Sequence, residues 1–431
     1  MKENSYLYQK IRSIDHDEMR PMFHFTAPIG WINDPNGLIF YKNYYQLYYQ
    51  YNPYAPHWDA MHWGHARSKD GIHWQDMPVA MKPDHEYDKS GVFSGSAIEK
   101  DGKLYVIYTG HVVDEKGQAT ETQSVAYSDD GIDFVKYEHN PVMTVDDIPG
   151  NTDKGNFRDP KVFEHNGKYY CIIAAALDHE GSLVLFESED LLHWTFKSVL
   201  LHNSDLGIMT ECPDFIKLDN QDYLLFSVIL GEGQNSIVYA AQGHMDWSNF
   251  SFQLEEMHRL DDGDDFYASQ SFLDEKGNRT VIPWLRSVDH VDYLEEAGHL
   301  WNGMMGIPRH LSLVNDHLVQ KPIGEIKQLS LSENKEIDLG SYQLTDKIPV
   351  GKSLLLKGSN GEITIWRKDE DQYVIEIHSP AFIKAISWKP DIHKLILVID
   401  NSSLEIFAEN KTLSIVTFVA GIKQVKLQEA N

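Results

Sequence analysis

Cysteine is nearly absent: Cys171 and Cys212 are the only two in 431 residues, with no C-x-x-C and no zinc-type spacing. A disulfide framework is excluded, and a reducing cytoplasm is the natural compartment. Long apolar runs are missing as well, since nothing approaches the ~18 residues that a membrane span needs. Residues 1–23 hold neither an apolar core nor a small-residue cleavage site, so no secretory signal is expected. Basic side chains are scarce against acidic ones, 38 to 65, giving a formal net charge of −27. Such a field repels phosphate backbones and anionic lipid surfaces, so neither nucleic acid nor a membrane is an expected partner. A neutral small molecule feels little of it.

What is present is a large apolar fraction, 42%, with 12% aromatic residues. That supports substantial cores, and the length argues for two domains rather than one. A repeat of sixty residues is visible. Ser68-Lys69-Asp70-Gly71-Ile72-His73-Trp74 recurs as Ser128-Asp129-Asp130-Gly131-Ile132-Asp133-Phe134 and as Ser188-Glu189-Asp190-Leu191-Leu192-His193-Trp194. A weaker fourth copy surrounds Gly243-His244-Met245-Asp246-Trp247. Upstream of each copy, turn residues lead into an aromatic, β-branched strand, as at Asp101-Gly102 and Asn166-Gly167. Asn220-Gln221-Asp222 and Lys276-Gly277-Asn278 supply further units of the same kind. Five such units with few helical patterns predict an all-β chain with a five-bladed β-propeller at 21–320, following an N-terminal extension at 1–20. From 321 to 431 the period-two alternation of Glu362–Trp366, Tyr373–Ile377 and Leu395–Ile399 predicts roughly eight short strands in a β-sandwich. A short linker near Lys321-Pro322-Ile323-Gly324 joins the two. The second domain shows no catalytic-looking cluster.

The first strand of each blade lines the channel of a propeller. Asp34, Ser94, Asp159, Cys212 and Ala268 occupy matching positions at those strand starts, separated by 60, 65, 53 and 56 residues. Asp34, Asp159 and Glu211 are therefore expected to face one funnel. Three carboxylates around a pocket suit glycoside hydrolysis, with one as nucleophile and another as general acid and then base. Like charges held close raise the pKa of one of them and so keep a proton at hand. Trp31, Trp58, Trp63, Phe93, Tyr267 and Trp301 are available as sugar platforms. Taken singly, each signal has an ordinary explanation: Asp34 in a turn, Arg158-Asp159 as an ion pair, Glu211 as an edge charge. Their common register is what joins them. His57, His62 and His65 invite a metal, but they sit in or beside a segment that reads as a strand, whose alternate residues face opposite sides. Packing or substrate contact is the better reading, and no calcium loop is recognisable. No metal and no cofactor is expected.

These residues resemble glycoside hydrolase family 32. The stretch from His24 to Gly37 is similar to its nucleophile signature, Phe157-Arg158-Asp159-Pro160 to its transition-state-stabiliser motif, and Glu211-Cys212-Pro213 to its acid/base motif. Gln50-Tyr51-Asn52-Pro53, Met61–His65, Phe93–Ser96, Asp265–Ala268, Trp301-Asn302-Gly303 with Pro308-Arg309, and Leu404–Phe407 also match. The resemblance implies a retaining β-fructofuranosidase acting on sucrose and short fructo-oligosaccharides. Asp34 would be the nucleophile, Glu211 the acid/base and Asp159 the stabiliser. Trp31, Asn33, Gln50, Trp58, Phe93, Ser94, Arg158, Tyr267 and Trp301 would shape the fructose subsite. Hydrolysis of sucrose 6-phosphate is the alternative with the same mechanism; fructosyl transfer and a non-catalytic sugar-binding propeller rank below it. Oligomeric state is not legible.

Overall fold

The computed structural model describes residues 17–231, 236–287, 289–331, 335–390 and 394–429. The extension expected at 1–20 therefore falls mostly outside the described residues. Strands dominate, and the one α-helix among the described residues is the single turn Tyr293–Glu296. No described helix is long and apolar enough to cross a membrane.

Five antiparallel sheets follow one another along the chain. Their opening strands are Gly30–Tyr41, Gly91–Lys100, Thr152–His165, Met209–Leu218 and Phe266–Leu273. In the first four sheets each later strand pairs with the one before it. The fifth departs from that order: Arg309–Val314 returns beside Arg279–Leu285 after an excursion, within which Trp301–Asn302 pairs in parallel with Gly30-Trp31 of the first sheet. A late segment thus ties the fifth sheet back to the first.

Apolar side chains of neighbouring sheets pack pairwise. First and second share a cluster with Tyr48, Trp63 and Tyr108; second and third one with Ile107, Phe157 and Phe186. Third and fourth share Ile172, Leu224 and Phe226, while fourth and fifth share Ile216, Phe266 and Val281. Ile32, Tyr49, Phe272 and Ile282 join fifth to first. The opening strands likewise touch in sequence, the last meeting the first. All the sheets thus turn their first strands to one centre.

Local sequence explains the turns. Lys42-Asn43, Asp101-Gly102 and Asn166-Gly167 have positive φ at both positions, which matches the twist of two-residue hairpins. The sixty-residue repeat is one turn used three times. Ser68, Ser128 and Ser188 accept the amides of residues 71, 131 and 191, while Asp70, Asp130 and Asp190 each accept the next two amides but one onward. Leu191 holds the left-handed φ of 74° that Gly71 and Gly131 hold at 77° and 78°. The weak fourth copy is a different turn. Gly243–Asp246 lie inside a strand, and Asp246 caps Ser248 instead.

Between Ile326 and Glu429 eleven strands, more than the eight expected, form two sheets that share one core, including Leu354, Ile365, Ile375, Leu397, Leu404 and Leu413. The extra strands include Lys335–Glu336, Ile326–Leu329 and Gly340–Leu344, which are polar, short or glycine-bearing and show little alternation. These sheets meet the rest through buried charge. His24 reaches Asp400 and Glu405, and Arg309 lies between Asp261 and Glu405 with no exposure.

Candidate active site

Every opening strand carries a β-bulge at the same height. Pairing skips Asn33-Asp34, Phe93-Ser94, Asp159-Pro160, Cys212-Pro213 and Ala268-Ser269, each pair opposite a single residue of the next strand. Bulges re-aim side chains, and these re-aim five toward the centre. Asp159, Cys212 and Ala268 have φ values of 62°, 47° and 48°. Left-handed backbone costs a non-glycine residue roughly 1–3 kcal/mol and persists where the surroundings impose it.

Asp34 and Asp159 meet over the Cys212 thiol. Cys212 Sγ lies 3.4 Å from Asp34 Oδ2 and 3.5 Å from Asp159 Oδ2, and the Cys212 amide donates to Asp159 Oδ2 at 2.9 Å. Asp34 also accepts from Ser94 Oγ at 2.7 Å and from Asn33 Nδ2 at 3.1 Å. Glu211 Oε1 receives Arg158 Nε and Nη2 at 3.0 and 2.9 Å, while Tyr267 donates to Oε2 at 2.5 Å.

Burial, and then the charge of Glu211, pushes the Asp34 carboxyl above its ordinary value. The same two causes, with Asp34 added, push Asp159 well above it. Three acids so placed hold their protons as a set. Burial and the surrounding carboxylates also raise the Cys212 thiol well above its usual value. Asp34, Asp159 and Cys212 offer ligand-type atoms within 4.8 Å of one another, but a protonated thiol donating to both carboxylates is a poor metal ligand.

The other expected residues divide. Trp31 is buried, with its indole N–H on Asn33 Oδ1 at 2.9 Å. Gln50 faces the bulge in the first sheet and donates to the Val92 carbonyl. Phe93 stacks on His111 at 4.0 Å, and Trp58, 55% exposed, packs edge-on to Phe93 at 6.1 Å. Trp301 does not join them. It is fully buried, donates to Asp17 Oδ2 and lies under the Arg20 guanidinium, because its strand serves to tie the sheets together. His57, His62 and His65 go separate ways, to Glu295, the Ala60 carbonyl and Gln46.

Two features escaped the sequence. Glu121, 2% exposed, accepts from Arg158 Nη1 at 3.2 Å and from the Phe157 amide at 2.9 Å, and nothing near it in sequence marks it. Two residues beyond each aligned position lie Asn36, Ser96, Lys161, Asp214 and Gln270, all polar and all buried. Lys161 bonds Asp214 at 3.0 Å and Gln270 at 3.2 Å, forming a polar floor. Their spacing repeats that of the first ring, so this floor was legible.

Residues 24–322 match the model of the glycosyl hydrolases family 32 N-terminal domain. The chain belongs to glycoside hydrolase family 32. A sucrose-6-phosphate hydrolase of Zymomonas mobilis subsp. mobilis is 38% identical over 342 residues, covering 74% of this chain; the chain spans 65% of that relative's length. A sucrose-6-phosphate hydrolase of Bacillus subtilis is 33% identical over 91% of this chain and 87% of its own. Among solved structures, a Bombyx mori family 32 beta-fructofuranosidase superposes with a TM-score of 0.87 at 29% identity, covering 100% of this chain and 96% of that one.

Proposed function

We propose that this family 32 chain is a retaining β-fructofuranosidase releasing terminal β-D-fructofuranosyl residues from sucrose and short fructo-oligosaccharides. The observation that carries the reading is the convergence of Asp34, Asp159 and Glu211 from three different sheets on one bulge-lined centre. Asp34 attacks the fructosyl anomeric carbon, its carboxylate aimed by Ser94 and Asn33. Glu211 gives a proton to the departing oxygen. Once Asp34 is bonded to the sugar its negative charge is gone, the repulsion it exerts on Glu211 goes with it, and Glu211 takes a proton from water. Asp159 holds fructose hydroxyls as the ring flattens toward an oxocarbenium ion. Asn33, Ser94, Arg158, Tyr267, Gln50, Phe93, Trp31 and Trp58 shape the subsite around these three.

Residues 21–320 read as a five-bladed β-propeller and 321–431 as a β-sandwich; the cyclic packing of five sheets supports the first, and the shared core of the last two supports the second. The cytoplasmic reading is supported by two free, buried cysteines. The names of the Zymomonas and Bacillus relatives favour sucrose 6-phosphate as a second substrate.

Product analysis on sucrose and kestose tests the reading. Fructose release that falls by at least about 10²-fold in Glu211→Gln supports it. Chain elongation at high sucrose would make the protein a transferase. No fructose from the wild type, with sugar bound equally by Asp34→Ala, would make it a binding protein.

A further inference from the structure

One wall of the site holds hydrogen-bond donors with nothing to donate to. Tyr267 pairs with Trp284 across the fifth sheet, and alternation puts Arg286, two residues on, over the same face. The Arg286 amide bonds the Asp265 carbonyl, one step past the end of the opening strand, so Arg286 stands at the open end of the wall. Its guanidinium carbon lies 4.1 Å from the Tyr267 ring centroid, and the Tyr267 hydroxyl is the group bonded to Glu211. Arg286 Nε and Nη2 are buried without an acceptor, and so is the neighbouring Trp284 Nε1. Trp284 in turn packs edge-on to Trp31 at 5.7 Å.

An unmet buried donor costs about 1–3 kcal/mol, and more when it is charged. In a chain with 65 acidic side chains, a guanidinium with no carboxylate partner among the described residues is unusual. Arg158 offers the contrast, with both Glu121 and Glu211 on its nitrogens. The contact with Tyr267 accepts no directed hydrogen bond, so the fork of Arg286 remains unengaged.

We propose that Arg286 is a specificity-determining residue that receives a phosphomonoester carried by the leaving sugar. The inference rests on the hydrolase reading, in which Glu211 protonates the leaving oxygen. The leaving group must then lie on the Glu211 side, along the Tyr267 wall. A phosphate dianion brought toward three carboxylates needs a compensating cation, and the planar fork of arginine fits phosphate oxygens in a bidentate manner. Trp284 Nε1 supplies a further donor on the same wall. A neutral glucosyl group leaves these donors poorly matched, so the phosphorylated substrate is the preferred one.

The test compares kcat/KM on sucrose 6-phosphate and on sucrose for wild type, Arg286→Gln and Arg286→Lys. Wild type should prefer the phosphorylated sugar by at least about tenfold, and Arg286→Gln should lower that preference by roughly 10- to 100-fold, the span of a charged hydrogen bond. Arg286→Lys should fall between. Independently of any variant, glucose 6-phosphate should inhibit the wild type at about one-tenth the concentration of glucose or less, with the advantage shrinking at high salt. An unchanged preference in Arg286→Gln, or equal inhibition by the two sugars, overturns the proposal while the hydrolase reading stands. No fructose from either substrate defeats both.

Discussion

Arg158 and Glu211, fifty-three residues apart in sequence, meet with Nε and Nη2 of the guanidinium on a single carboxylate oxygen at 3.0 and 2.9 Å. The fork thus leaves Glu211 Oε2 to Tyr267 and the pocket. On the proposed chemistry that exposed oxygen is the one that handles the proton. Arg158 is itself held from behind by Glu121, which is almost wholly buried.

Glu121 is accordingly a positioning residue. Glu121→Gln keeps the shape but removes the anion behind Arg158, whose charge-assisted bond is of the ~1.5–3 kcal/mol class. We expect kcat to fall about tenfold or more with KM changed far less, because Glu121 touches no part of the pocket. A matched loss in both constants, or none, would count against the linkage. Steady-state kinetics with a thermal melt separates this from simple unfolding.

Ser94 offers a pH test. Its hydroxyl donates to Asp34 Oδ2 and so favours the charged carboxylate, against burial and the charge of Glu211, which already push that carboxyl above its ordinary value. Ser94→Ala removes the opposing influence, so Asp34 should hold its proton to still higher pH. The acid limb of kcat/KM should move upward by about 0.5–1 pH unit, a bond of ~1 kcal/mol expressed as pKa. An acid limb that stays put or moves down refutes the role given to this hydroxyl.

Much of this site was legible, for a physical reason. Channel-facing residues recur at intervals set by the sheet repeat, so Asp34, Asp159 and Cys212 declared their common position before any coordinate was known. Even the polar floor of Asn36, Ser96, Lys161, Asp214 and Gln270 follows the same spacing. Glu121 did not declare itself. It comes from the third strand of the second sheet, and its partners Phe157 and Arg158 belong to the third sheet. Such contacts depend on how neighbouring sheets are set against each other, which no periodicity records. Trp301 misled for a related reason: it adjoins Gly30-Trp31 through a parallel pairing, but its ring turns away into the core.

That misplacement makes its own prediction. Trp301 packs with Met19, Leu294, Val416 and Phe418, joining the sheet cycle to the C-terminal strands. Trp301→Ala should cost about 3–5 kcal/mol of stability, as large aromatic deletions in cores do. KM for sucrose in the folded fraction should change little. A variant with native stability but a sharply raised KM would restore Trp301 to the fructose subsite. Urea unfolding and kinetics on the same preparation decide between them.

His24 gives the second pH dependence, and its sign is opposite to that of the carboxylates. Its ring is buried, with Nδ1 at 2.9 Å from Asp400 and Nε2 at 3.1 Å from Glu405. Burial alone would depress its pKa, but the bonds to Asp400 and then Glu405 outweigh that and lift it to about 9. A histidine whose folded pKa lies above the unfolded value of about 6.5 contributes its full stability below that pH. The contribution fades as pH rises through about 9, and its size is on the order of 3 kcal/mol. Unfolding free energy should therefore drop between pH 6.5 and 9.5 in the wild type. In His24→Gln the protein should be weaker at pH 6.5, since two buried carboxylates lose their shared cation and only Glu405 keeps another, Arg309. The gap between the two proteins should then narrow as pH rises. A constant gap across that range would mean that His24 is not the titrating clasp between the first five sheets and the last two.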